Sequence, residues 1–217
     1  MIYFIIIMEK QIMTDKKRQN KISHALSTLL RHTAQKKGLP ISVDGYIPIS
    51  LVLQQQPFKS LNTTLEEIEE VCRTNDKQRF SINDGNIRAN QGHTIRLENP
   101  DLEEITLDNL DQYPIVLHGT YFSSWEKIKH GNALKRMNRT HIHMAQGLFG
   151  QVKSGVRKDI EVIIYIDLPK AINDGLKFYK SSNDVVLCQG PISVIYFKHV
   201  LTKDLEPFDP DFPTKLE

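Results

Sequence analysis

The chain has 217 residues, 40% hydrophobic and 25% charged, with a formal net charge of +2. This composition suits one large globular domain or two small ones and excludes a low-complexity or fibrous chain. So small an excess of positive charge creates no whole-chain field, so nucleic-acid binding cannot be argued from charge alone. The two cysteines, Cys72 and Cys188, sit far apart in apolar-rich runs without metal-ligand spacing, which favours free thiols in a reducing compartment. The apolar run Ile2 to Ile7 is far too short to span a bilayer and lacks the flanks of a secretory signal. With Met8 and Met13 as alternative starts, residues 1–19 are expected to be a disordered extension. A cytoplasmic monomer without membrane contact is expected, with nuclear access if the source is eukaryotic.

The first helix is set by Ile22, Leu26, Leu29, Leu30 and Thr33, which share one side at a 3.6-residue period. Arg31 points away from that stripe and His32 lies at its edge. Gly38 can take the left-handed cap, with Pro40 following. Ser42 to Pro48 reads as a turn and short strand, and Ile49 to Gln55 as a short helix. Two overlapping capping boxes, Thr63 with Glu66 and Thr64 with Glu67, open a helix burying Leu65, Ile68, Val71 and Cys72. Strands Arg79 to Ile82 and Ile87 to Asn90 flank a four-residue loop, Asn83-Asp84-Gly85-Asn86. That register pairs Ile82 with Ile87 and Phe80 with Ala89, and gathers Arg79, Ser81, Arg88 and Asn90 on the other face. Two arginines side by side there suit either solvent or an anion. Three helices followed by a hairpin is the order of a winged-helix module, expected over residues 20–97.

Residues 98–112 are acidic and read as a linker. The second lobe, 113–206, starts with strand Ile115 to Leu117, which runs into His118-Gly119-Thr120. Ser123 and Glu126 form a capping box for a helix ending at Gly131. Strands are expected at His141–Met144, Glu161–Ile166, Lys177–Tyr179, Val185–Cys188 and Ile192–Phe197, with a glycine-rich loop from Gly147 to Gly155 and a helical turn near Pro169 to Asp174. Residues 207–217 form a proline-bearing tail expected to be extended or disordered. The fold class is therefore α+β.

No P-loop, dinucleotide fingerprint or nucleophile elbow is present. Histidines and arginines near strand ends remain: Arg31-His32, Arg79, Arg88, His93, His118 and Arg139 to His143. His141 and His143 face the same side of a strand and could hold a metal, but a third ligand such as His118 or His93 would be needed. Arginines clustered with histidines fit a phosphate better, since the guanidinium fork matches phosphate oxygens and stays charged. No metal is expected.

Leu29-Leu30-Arg31-His32, Asp44-Gly45-Tyr46, Asp76 to Phe80, Ile87 to His93, His118-Gly119-Thr120 and Arg139 to His143 together resemble the RNA 2′-phosphotransferase family in order and spacing. The likeness runs from about Lys21 to Val200. It implies an N-terminal winged-helix lobe, a mostly β lobe similar to NAD-using ADP-ribosyltransferases, and an active site between them. The implied partners are NAD, consumed as co-substrate, and an RNA with an internal 2′-phosphate, usually a tRNA splice junction. In the implied reaction the RNA phosphate displaces nicotinamide from NAD, giving RNA 2′-phospho-ADP-ribose. The 2″-hydroxyl then attacks phosphorus, releasing RNA with a 2′-hydroxyl and ADP-ribose 1″,2″-cyclic phosphate.

The resemblance assigns Arg31, His32, Arg79 and Arg139 as the essential quartet, with Lys77 supporting the second step. It assigns His118, Gly119, Thr120, His141 and His143 to NAD, and Arg88, Gln91, Gly92 and His93 to the RNA side. A phosphate monoester is already largely dianionic at neutral pH, so the first step needs no general base. In keeping with this, Val185-Val186-Leu187 carries no glutamate where many protein-modifying relatives place one. Met144 replaces the commoner leucine after the histidine pair, a volume-conserving swap. Two alternatives stay open. One is another ADP-ribosyltransferase acting on nucleic-acid ends or protein. The other is a non-catalytic winged-helix regulator, disfavoured because Glu66, Glu67, Glu69 and Glu70 would repel nucleic-acid phosphates.

Overall fold

A computed structural model describes residues 2–97 and 101–212, with side chains from Asp15 onward. It divides into two compact units, residues 1–100 and 101–217.

In the first unit, helix α1 (Ile2–Thr28) is continuous from near the amino end, so residues 2–19 are helical where the sequence reading expects disorder. The side chain of Arg18 explains part of this: it pairs with Glu67 and donates to the Leu61 carbonyl at 2.8 Å. Ile22, Leu26, Leu29 and Leu30 are buried as the helical period predicts, and Gly38 takes the left-handed conformation with φ 67°. Strand β1 (Ile47–Pro48) leads into α2 (Ile49–Leu53). Helix α3 (Leu65–Thr74) uses only the second of the two candidate boxes, in which Thr64 and Glu67 exchange side-chain and backbone hydrogen bonds. Because Leu65 then occupies the first helical position, it faces solvent, 42% exposed, instead of joining Ile68 and Val71 in the core.

Strands β2 (Phe80–Asn83) and β3 (Asn86–Ala89) pair in the expected register, Phe80 with Ala89 and Ile82 with Ile87. The loop is shorter than expected. Asn83 and Asn86 form the last pair, and only Asp84 and Gly85 turn, at φ 46° and 72°, a combination that matches the twist of the strands. Strand β1 adds to β3, giving a three-stranded antiparallel sheet ordered β1-β3-β2. Its apolar face, with α1, α2 and α3, closes one core around Leu26, Leu30, Ile47, Phe58, Ile68 and Ile87.

The second unit begins inside the acidic run. Leu102–Ile105 is not a linker but strand β4, paired antiparallel with β9 (Phe178–Ser181). Glu103 meets Lys180 at 2.8 Å and Glu104 meets Lys177 at 3.4 Å, so cross-strand charge pairing makes an edge strand from an acidic sequence. Residues 98–100 of that run lie outside the described residues. In chain order there follow β5 (Leu117–Thr120), α4 (Phe122–His130), β6 (Ala133–Leu134), β7 (Ile142–Met144), β8 (Val162–Ile166) and α5 (Leu168–Asn173). After β9 come β10 (Val186–Cys188), β11 (Ile192–Ser193) and β12 (Phe197–Thr202). Besides the two-stranded pair β11-β6, two larger antiparallel sheets result, β4-β9-β10-β7 and β12-β8-β5. They meet where Leu117 and Ala145 exchange both backbone bonds, at 2.9 and 2.8 Å.

Two local expectations need correction. Helix α4 starts one residue before Ser123, and the box read there does not form; the Glu161 carboxylate accepts from the Phe122 N–H at 2.9 Å instead. The run Ile192–Phe197 is not one strand, because a 3₁₀ turn over Val194–Tyr196 separates β11 from β12.

The segment from Pro207 also differs from the expected loose tail. Phe208 and Phe212 pack edge-on against Trp125, with ring centroids at 6.1 and 5.3 Å. Asp209, 5% exposed, accepts from Trp125 Nε1 at 2.8 Å and from Lys129 Nζ at 2.8 Å. Residues 213–217 of the tail lie outside the described residues. Burial alone would raise the Asp209 carboxyl, but Lys129, Trp125 and the Asp211 N–H together hold it below the usual value. Asp209→Ala leaves the indole N–H buried without its acceptor, so it should cost roughly 1–3 kcal/mol, read as a lower melting temperature. Since the folded value is depressed, this stabilisation is present above about pH 4 and lost as pH falls below it. An unchanged melting temperature in the variant at pH 7 would refute the strap.

Candidate active site

In the first unit the candidate cations sit on a helix that changes pitch. Residues Leu29–Thr33 form a π-helical turn, with the Ala34 N–H bonding the Leu29 carbonyl at 2.9 Å. This frees the Arg31 carbonyl from the helix. It accepts instead from the N–H groups of Thr94 at 3.0 Å and Ile95 at 3.4 Å, and from the Thr94 hydroxyl at 3.3 Å. The same hydroxyl oxygen lies 3.1 Å from His32 Nδ1 and holds the ring. Arg31 lies across Gly92: a Cβ built there would sit 3.5 Å from the Arg31 Cδ, Nε and Cζ atoms, and Gly92 has φ 87°. The positive φ is what calls for glycine here, since a Cβ would make only ordinary contact with Arg31.

Arg79 borders the same segment. Its N–H and its Nη1 both donate to Asn75 Oδ1 at 3.2 Å, and its carbonyl accepts from the Asn90 N–H at 2.9 Å. Asn75 Nδ2 reaches back to Ser23 on α1 at 3.4 Å. Burial pushes the Arg79 guanidinium below its ordinary pKa, offset in part by Asp76. Lys77, half-buried, stands in the turn closed by the Gln78 N–H on the Asn75 carbonyl at 2.8 Å. Gln91 and His93 flank Gly92, and His93 is buried.

Arg88 differs from the sequence picture of a cation on an open face. It is 7% exposed, stacked 4.8 Å from the centre of the Tyr46 ring, and held near the Asp44 carbonyl at 3.4 Å. It anchors the Asp44-Gly45-Tyr46 turn.

The second unit forms its own cluster. His118 on β5 donates through Nδ1 to the His143 carbonyl on β7 at 2.8 Å. Burial lowers the His118 pKa more than this bond raises it, and the charges of Arg139 and Arg157 lower it further. His118 is therefore neutral, with Nδ1–H fixed and Nε2 an acceptor. Arg139 Nη1 lies 3.4 Å from His143 Nδ1, which must accept and so carries its own proton on Nε2. Ile142 and Met144 are buried with His143 half-buried between them, as strand alternation predicts, whereas His141 lies before the strand begins. His141 is turned into a separate contact, its Nδ1 3.0 Å from Thr140 Oγ1.

Gly119 has a packing role. A Cβ there would lie 2.8 Å from Ile160 Cγ2 and 3.2 Å from Val156 Cγ2, so the 156–160 segment is pressed onto β5. Thr120 is buried and its carbonyl accepts from the Glu161 N–H at 2.9 Å. Sequence reasoning missed Asn75, Thr94 and Arg157. The first sits at a helix end and the other two follow glycine-bearing turns, positions that carry no motif of their own. Among the described residues, no group of three or more histidine, cysteine, aspartate or glutamate side chains converges on a metal position. No helix there is long and apolar enough to cross a membrane.

The lowered pKa of His118 has a defined consequence. An unfolded histidine titrates near 6.5. As pH falls below that, the unfolded chain takes up a proton that folded His118 refuses, so stability declines; above it the contribution is fully present. Nitrogen NMR of the imidazole should give the Nδ1–H tautomer at pH 7, with titration only below 6.5. An imidazolium at pH 7 would contradict the geometry.

Comparison with known proteins then places the chain. A sequence model of the RNA 2'-phosphotransferase, Tpt1 / KptA family matches residues 17–190. The chain is 40% identical over 184 residues to tRNA 2'-phosphotransferase 1 of Danio rerio, covering 81% of this chain and 80% of that protein. It is 40% identical over 200 residues to tRNA 2'-phosphotransferase 1 of Mus musculus, covering 86% and 78%. With the tRNA 2'-phosphotransferase of Saccharomyces cerevisiae it shares 34% identity over 197 residues, 86% of each chain. A match that spans both units and both residue clusters makes this chain a member of the RNA 2'-phosphotransferase, Tpt1 / KptA family.

Proposed function

We propose that this enzyme removes the internal 2′-phosphate of a ligated tRNA at the expense of NAD, with a winged-helix lobe at its amino end and an ADP-ribosyltransferase-like lobe after it. The observation that carries the reading is the fixed protonation of the second cluster. Neutral His118 offers Nε2 as an acceptor, which suits a ribose hydroxyl, while Arg139 supplies charge beside it. That donor set fits NAD, held by His118, His143 and the strand end at Gly119 and Thr120, with His141 at its edge. When bound, NAD supplies an electrophilic ribose carbon with nicotinamide as its leaving group.

Arg31 and Arg79 hold the RNA phosphate, which needs no base because its second pKa is near 6. Gln91, Gly92 and His93 form the backbone surface against which Arg31 is laid, and Arg88 fixes the turn beside it. His32 Nε2 moves the proton in the second step, its ring held by Thr94. Lys77 and Arg139 offset the charge that builds at phosphorus in that step.

The test is purified protein with NAD and a short RNA carrying one internal 2′-phosphate. Nicotinamide, dephosphorylated RNA and ADP-ribose 1″,2″-cyclic phosphate should appear together, and no release of nicotinamide would refute the reading. Arg139→Ala and Lys77→Ala should slow cyclic phosphate release about a hundredfold, or roughly 3 kcal/mol, with nicotinamide release less affected. The sign is RNA retarded on a gel by the added ADP-ribose. Parallel loss of both products would remove these residues from the second step.

A further inference from the structure

Arg157 belongs to none of the motifs that identify the family's site, yet the fold brings it to the second cluster. The segment that carries it is pinned at both ends. At Gly155, φ 93°, a Cβ would lie 2.8 Å from Ala145 Cα and 2.9 Å from the Met144 carbonyl, so the chain there is pressed onto the end of β7. At the other end Ile160 and Val156 fill the space above Gly119 on β5. Between these anchors the Arg157 Nη1 donates to the Tyr121 hydroxyl at 3.4 Å, and that hydroxyl donates to Asp159 Oδ2 at 2.9 Å. Tyr121 directly follows the His118-Gly119-Thr120 strand end.

The electrostatics agree. Burial lowers the Arg139 pKa first, and the charge of Arg157 lowers it further; Arg157 also contributes to keeping His118 neutral. A neighbouring guanidinium that disfavours the buried charge of Arg139 imposes a cost that a bound dianion offsets. The amino end of α4, the other source of positive potential nearby, already has the Glu161 carboxylate on it.

We propose that Arg157 is a further substrate-binding residue, a guanidinium held at the His118-Gly119-Thr120 strand end through Tyr121 that binds phosphate oxygens of a substrate. This rests on the NAD-dependent reading above. The phosphate could be the pyrophosphate of NAD or the 2′-phosphate of the RNA, and separate probes divide the two. Binding is measured by calorimetry with ADP-ribose alone and with a short 2′-phosphorylated RNA alone, for the full chain and for Arg157→Gln, Arg157→Lys and Tyr121→Phe.

Arg157→Gln should weaken one probe by roughly tenfold or more, with Arg157→Lys recovering part of the loss. Loss confined to ADP-ribose assigns the pyrophosphate, and loss confined to the RNA assigns the 2′-phosphate. Tyr121→Phe keeps the charge and should stay within about threefold of the unmodified protein. Full affinity of Arg157→Gln for both probes would overturn the proposal, and so would an equal loss in Tyr121→Phe, which would make Arg157 a tether of its loop. If the unmodified protein bound neither probe, the NAD reading would fall and this assignment with it. If it bound both and Arg157→Gln did too, only this assignment would fall.

Discussion

The Arg31 carbonyl has to find its hydrogen bonds outside its own helix, and much of the first unit follows from that. Near a helix end the last carbonyls have no intrahelical partner, and a partly buried one left bare costs on the order of 1–3 kcal/mol. The π turn moves this problem inward from the helix end, to the point where the chain after β3 passes. Two N–H groups and one hydroxyl from Thr94 and Ile95 then converge on a single oxygen. That convergence fixes the backbone of Arg31 and, through the Thr94 hydroxyl, the place of the His32 ring. It also explains why the hairpin register matters at a distance. A one-residue slip of β3 would turn every side chain to the other face and withdraw Thr94 from its carbonyl.

In the second unit burial does the equivalent work. A histidine in an open position would be partly protonated at neutral pH, and its hydrogen-bonding role would change with it. His118 is instead placed where β5 and β7 are tied together by the Leu117–Ala145 backbone pair, one residue away. Desolvation keeps the ring neutral, and the His143 carbonyl decides which nitrogen bears the proton. The same strand presents His143 to Arg139, so one short β-strand orients three groups. Neither sheet alone would do this, because the relevant bonds run across the seam between them.

Local signals were legible wherever a short-range rule had no competitor. The stripe from Ile22 to Leu30, the left-handed Gly38, the hairpin register and the alternation at Ile142 and Met144 all needed only neighbouring residues. The failures share a different cause. The acidic residues Glu103 and Glu104 look solvated until Lys180 on β9 and Lys177 just before it arrive from much later in the chain. The segment after Pro207 looks loose until Trp125 and Lys129 offer Asp209 a buried berth. Arg18 extends the first helix because Glu67 waits on α3. The π turn left no trace at all, since Leu29 to Thr33 fits an ordinary helix equally well. For the site, motifs pointed to the arginines and histidines themselves but not to Asn75 or Thr94, whose roles come from tertiary position.

The choice of partners for those arginines separates charges cancelled within the fold from charges left in place. Arg18 and Arg73 each bond a carboxylate, Glu67 and Glu70, and so cancel their own charge locally. Arg79 instead leans on the amide oxygen of Asn75, and Arg139 on an imidazole nitrogen. A neutral acceptor orients a guanidinium nearly as well as a carboxylate does, but leaves the charge in place. Burial then makes that charge costly to carry, which is the sense of the lowered pKa of both arginines. A phosphate that enters relieves this cost, because its oxygens replace lost solvation at short range and at low effective dielectric. Had carboxylates held Arg79 and Arg139, an incoming dianion would first have to displace an existing ion pair, so under the proposed function the fold would be competing with the substrate for the same donors.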